Sequence, residues 1–159
     1  MNRKAFLKAL KACIDRIVSK AGFTYAERRL WVRKTDWKCD HVMLIIGGES
    51  YFMPNLIVDI PPPPGWGTDF QGLAFGNLGT LVGKEAAYRY PSLLRPGSAI
   101  LKTVEEDLAK GLSWFCLFES PEACLAYLRS DRGPNEPYCR PGSPAFEYCV
   151  SYLQGLLSK

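Results

Sequence analysis

Apolar side chains recur every three or four positions at the start of the chain: Phe6, Leu7, Leu10, Cys13, Ile14, Ile17, Val18 and Ala21. That spacing predicts an amphipathic helix over residues 3 to 21, with Lys4, Lys8, Lys11 and Asp15 on its wet side. Gly22 supplies the left-handed residue that ends such a helix, and Phe23 can pack back over the last turn. The period then changes to two. "RRLWVRK" (28 to 34) alternates, which sets Leu30 and Val32 toward the core and Arg29, Trp31 and Arg33 on the opposite face. "HVMLII" (41 to 46) is apolar on both faces, as expected of a central strand. After Gly47-Gly48, "YFMPNLIVDI" (51 to 60) returns, with Leu56, Val58 and Ile60 on one side and Asn55, Ile57 and Asp59 on the other. Pro54 lacks an amide proton, so this run is expected to hold a bulge or to lie partly at an edge.

Four prolines, Pro61 to Pro64, end the sheet pattern, because none offers a backbone donor. They form a stiff polyproline rod that delivers "GWGTDFQGLAFGNLGTLVG" (65 to 83), a glycine-rich loop carrying Trp66, Phe70 and Phe75. Linkers are poor in aromatics, so this loop is expected to be ordered and available for function. Farther on, "SAILK" (98 to 102) reads as a short strand, and "TVEE" (103 to 106) as a capping box with Thr103 at the N-cap of a helix. Ser120-Pro121 and Ser143-Pro144 each place a capping hydroxyl before a first-turn proline, which opens helices near 121 to 129 and 144 to 157. The sum is one α+β domain over residues 1 to 159. It comprises an antiparallel meander sheet of three to five strands backed by an N-terminal helix and C-terminal helices.

Composition narrows the chemistry. At 159 residues and 47% hydrophobic, the chain can bury one core but not two. No stretch reaches the roughly 18 unbroken apolar residues of a membrane span. Lys8, Lys11, Asp15 and Arg16 interrupt what would be the apolar part of an export signal, so a cytoplasmic protein with no membrane partner is expected. Six cysteines without a C-x-x-C spacing read as thiols, with the redox state of Cys39 and Cys139 left open. Charge is uneven: residues 1 to 40 hold eleven Lys or Arg against four Asp or Glu, and the remainder nine against twelve.

Catalytic designs find little support in the residue pattern. His41, the only histidine, follows Asp40, but neighbours on a strand point to opposite faces. The glycines match no phosphate or dinucleotide loop. No catalytic residue, cofactor or metal ligand is therefore assigned. What stands out is a set of contact residues: Trp66, Asp69, Phe70 and Phe75 from the loop, and the trio Arg29, Trp31 and Arg33 from the first strand. The trio suits stacking and phosphate contact, or an acidic protein surface.

Two stretches, "FLKALKACIDRIVSKAGFTYAERRLWVRK" and "TVEEDLAKGLSWFCLFESPEACLAYL", together with Asn55-Leu56-Ile57-Val58, resemble the bacterial domain-of-unknown-function family 4304. The resemblance implies a meander sheet backed by helices and transfers no catalytic residue. The proline rod and glycine-aromatic loop depart from that family's pattern. Small bacterial domains of this build often serve as immunity proteins, so a non-enzymatic protein-binding domain that neutralises a toxin is the first expectation. Nucleic-acid binding through the basic front is the second. A hydrolase built around His41 or paired carboxylates is the third.

Overall fold

The first helix, α1 (Arg3–Lys20), starts where the Asn2 side chain accepts from the Ala5 amide at 2.9 Å. It ends in a Schellman motif: the Gly22 amide bonds Ser19 O and the Phe23 amide bonds Val18 O, both at 3.1 Å. Gly22 takes φ +85°, a conformation that favours glycine, and Phe23 turns back into the core. Phe6, Leu10, Ile14 and Val18, four residues apart, form the buried stripe.

The computed structural model describes residues 2–66, 72–131 and 139–159. After α1 come β1 (Thr24–Tyr25), β2 (Leu30–Lys34), β3 (Cys39–Gly47), β4 (Tyr51–Asp59), β5 (Ala74–Asn77), a single turn α2 (Leu78–Leu81), and β6 (Tyr88–Arg89). Then follow α3 (Gly97–Gly111), a 3-10 segment (Leu112–Phe118), α4 (Pro121–Arg129) and α5 (Pro144–Leu157). The strands pair antiparallel in the order β1-β2-β3-β4-β5, and β6 joins β4 beside β5. The architecture is α+β, with the meander and both flanking sets of helices that the hydrophobic pattern implies.

Pro54 pairs with Leu44 in the middle of this sheet. The Leu44 amide is directed to Arg29 O on the other side, so Leu44 and Pro54 form a non-hydrogen-bonded pair. The proline nitrogen then faces the gap between β5, which covers Asn55 to Val58, and β6, which covers Tyr51 and Phe52. No ladder bond is lost there. The proline sits at a local edge inside a six-stranded sheet.

Register divides the side chains into two faces. Trp31, Val42, Leu44, Phe52, Leu56, Val58 and Ala74 share one face and are all buried. They form a single core with the stripe of α1, with Ile100, Val104 and Leu108 of α3, and with Phe115 and Phe118.

Two expectations are corrected. Residues 98 to 102 are not a strand, and Thr103 does not cap a helix: both lie inside α3, whose N-cap is Pro96. Ile100, Val104 and Leu108 continue one helical stripe through the segment, and the Thr103 hydroxyl donates back to Ala99 O at 3.0 Å. The faces of β2 are also reversed. Trp31 and Arg33 turn toward the helices, while Leu30 and Val32 are half-buried on the far side. The reason is partners: the Trp31 indole donates to Asp15 Oδ1 of α1 at 3.0 Å, and Arg33 meets a buried carboxylate.

Candidate binding surface

The trio expected on one open strand face is separated by the fold. Trp31 is fully buried. Arg33 donates through Nε and Nη2 to Asp40 Oδ2 at 3.1 and 2.7 Å, and through Nη1 to Ala21 O at the end of α1. Its guanidinium also lies 4.7 Å from the ring centre of Phe23. Lys38 completes the arrangement, its Nζ 2.7 Å from Asp40 Oδ1, so that one fully buried carboxylate carries two cations. Arg29 alone of the trio is exposed, in a left-handed turn residue at φ +67°. No stacking platform for nucleic-acid bases survives in this arrangement.

The far face of the sheet carries a different set. Register places Leu30 beside Met43, Val32 beside His41, His41 beside Ile57, and Ile57 beside Phe75, with Ile45 opposite Met53. All these side chains are half-buried, and among the described residues Leu30, Val32, Met43, Ile45, Met53 and Ile57 stand outside the core cluster. The helix-covered face differs: Trp31, Val42, Leu44, Phe52, Leu56, Val58 and Ala74 of the same four strands are buried there, whereas on this face Asn55 is fully buried among half-buried neighbours. Lys34 and Arg89 fall on this face by register, and its carboxylate, Asp59, sits 3.1 Å from Nε2 of His41.

Phe75, expected as a contact residue, lies in this patch. Trp66 is half-buried at the end of the proline rod, its amide donating to Pro63 O in a turn completed by Gly65 at φ +85°. The rod is tied down: the Tyr148 hydroxyl of α5 donates to Pro61 O at 2.6 Å. Asp69 and Phe70 fall outside the described residues.

One cluster escaped the sequence reading. A cleft of about 490 Å³ opens at the end of this face, between the β2–β3 turn and the proline rod, with Trp37, Pro61 and Pro62 in its walls. Cys39, His41 and Asp59 all line it, because Cys39 and Asp59 are cross-strand partners and His41 lies two residues along the same strand face. The signal was present as Cys-x-His on a strand, but the pairing with Asp59 is a matter of register. These are the residue types of a nucleophile, base and orienting acid. Burial, reinforced by Asp59 and Asp40 and opposed by Lys34 and Lys38, raises the Cys39 pKa. A thiol shifted in that direction stays protonated near neutrality, the reverse of an activated nucleophile. The cluster therefore reads as a polar end to an apolar surface. Among the described residues no group of three or more His, Cys, Asp or Glu is arranged to hold a metal ion.

No helix among the described residues is long and apolar enough to cross a membrane. No family model matches the chain, and neither does any curated protein or solved structure.

Proposed function

We propose that this chain is a non-enzymatic protein-binding domain that docks its partner on the sheet face opposite the helices. The observation that carries the reading is the division of the sheet: one face is sealed by helices, while the other presents Leu30, Val32, Met43, Ile45, Met53 and Ile57 outside the core. Apolar patches of this kind, rimmed by polar groups, mark macromolecular contacts. Lys34 and Arg89 lie on the face, and Asp59 is matched by His41, so the complementary partner is apolar at its centre and acidic at its rim. Phe75 and Trp66 extend the surface toward the proline rod.

The specific form of this reading is an immunity protein acting in the bacterial cytoplasm, which neutralises a toxin by stoichiometric binding. The resemblance noted above supports it, and the two-cation burial of Asp40 argues for a rigid, preorganised scaffold. Co-expression with the product of the neighbouring gene, followed by purification and titration, tests it. A one-to-one complex is expected, with Ile57→Asp or Phe75→Asp weakening it by more than about 2 kcal/mol and Lys8→Glu on the far helix leaving it unchanged. A complex indifferent to both sheet substitutions removes this face from the account. Nucleic-acid binding is the competing outcome. It would appear as retention on nucleic acid that collapses with added salt.

A further inference from the structure

The segment between β6 and α3 holds the most exposed apolar side chains of the described chain. Leu93 and Leu94 are 106% and 94% exposed, against 41% and 36% for the tyrosines Tyr25 and Tyr51. They are the two central residues of a tight turn. Ser92 and Arg95 close it with reciprocal backbone hydrogen bonds, Arg95 N to Ser92 O at 3.2 Å and Ser92 N to Arg95 O at 3.0 Å. Pro91 and Pro96 flank the turn and stiffen its entry and exit. A pair of leucines is thus held outward on a convex tip, where the described residues leave both almost fully exposed.

The base of the tip is cationic. A cleft of about 510 Å³ lies beside it, between β6 and the first turns of α3, and Lys84, Arg89, Arg95 and the Thr103 residue line it with Glu85 as the opposing acid. Lys84 is tethered by the buried Asp107 at 2.6 Å, which leaves Arg89 and Arg95 to set the sign of the cleft. Arg3 of α1 adds a further positive charge, its guanidinium 5.0 Å from the ring centre of Tyr90, two residues before the turn.

We infer that this end of the molecule docks on an anionic phospholipid surface, with Leu93 and Leu94 entering the acyl boundary and Arg89 and Arg95 holding headgroup phosphate. A convex apolar tip inside a collar of arginines fits a deformable interface, where leucine burial and attraction to anionic lipid act together. This site shares Arg89 with the rim of the sheet face described above, but its leucine tip and Arg95 lie outside that face. It departs from the expectation of no membrane partner, which rests on the absence of a spanning segment and does not bear on a surface contact.

Vesicle co-sedimentation of the full chain tests the inference, using phosphatidylcholine alone and phosphatidylcholine with about one-third phosphatidylserine at low salt. Binding to the anionic vesicles is expected, falling at least about tenfold in the Leu93→Asp/Leu94→Asp double variant. Arg89→Glu/Arg95→Glu is expected to remove the preference for anionic over neutral vesicles. Ile57→Asp on the sheet face should bind vesicles like the parent, which separates this site from the protein-docking surface. Both turn variants alter exposed side chains, and circular dichroism verifies that they are folded; Leu93→Ser/Leu94→Ser replaces the aspartates if they are not. Absence of binding to anionic vesicles, equal binding to neutral ones, or full binding by the leucine variant each overturns the inference, the first pointing to a pocket in another protein as the acceptor of the tip.

Discussion

Asp40 and Asn55 are both completely buried, yet they pose opposite physical problems. Asp40 is oversupplied with partners, because Lys38 gives it both Nζ contacts and Arg33 two more bonds. Removing the carboxylate charge would leave Lys38, only 7% exposed, without a counterion in a dry site. Asp40→Asn is therefore expected to destabilise the protein by about 3 to 5 kcal/mol in urea unfolding. Asn55 has no hydrogen-bond partner for either amide atom among the described residues, and its cross-strand neighbour Asn77 leaves Oδ1 unbonded as well. An orphaned buried amide costs stability, so Asn55→Val, apolar and suited to a strand, is expected to raise stability by about 1 kcal/mol or more. A loss of stability on that substitution would mean that water or a partner satisfies the amide.

Among the elements, those that read correctly from sequence are the ones whose signal is local. The stripe and Gly22 cap of α1, and the Ser-Pro openings of α4 and α5, each depend on residues within one or two turns. The Ser120 and Ser143 hydroxyls accept from the Ala123 and Phe146 amides at 3.1 and 3.2 Å. Strand β2 shows where local signal stops. Alternation defines two faces but not which is inside, and that choice came from Asp15 and Asp40, residues on other elements. The apolar residues on both faces of β3 suggested cover on both sides; helices cover only one. The start of α3 is not legible locally because Ser-Ala-Ile-Leu-Lys suits either state and Thr-Val-Glu-Glu has the form of a capping box inside a continuing helical stripe. Proline scanning distinguishes the two assignments. Ser98→Pro falls in the first helical turn and is expected to cost little, about 1 kcal/mol or less, whereas Leu101→Pro in the helix interior should cost about 3 kcal/mol or more and reduce the helical signal. Similar losses from both would restore the strand.

For the whole molecule, the helices that seal one sheet face also take several acidic protons out of reach of solvent, and this couples global stability to alkaline pH. Cys124 of α4 is fully buried, and burial pushes its thiol from 9.0 up to about 12, with Asp40 adding to the rise and Lys38 opposing it. Burial also raises Cys13, and Cys39 in its cleft on the opposite sheet face; Tyr88, which donates to Asp107 Oδ2 at 3.0 Å, moves the same way. In each case the native state keeps a proton that the unfolded chain gives up at lower pH. The unfolded state thus binds fewer protons above pH 9.0, and stability must fall as pH rises through the interval up to the native value. Below the unfolded values these groups are protonated in both states, and their contribution is constant. Urea unfolding between about pH 7 and about pH 10.5 is expected to show a plateau and then a decline, to which Cys124 contributes up to about 1.4 kcal/mol per pH unit. Cys124→Ala removes that share, so its stability curve should run flatter than the parent's above pH 9.0 while keeping the same shape below. Parallel curves over the whole range would show that the Cys124 proton is exchanged as easily in the folded protein as in the unfolded chain, which a fully buried thiol does not permit.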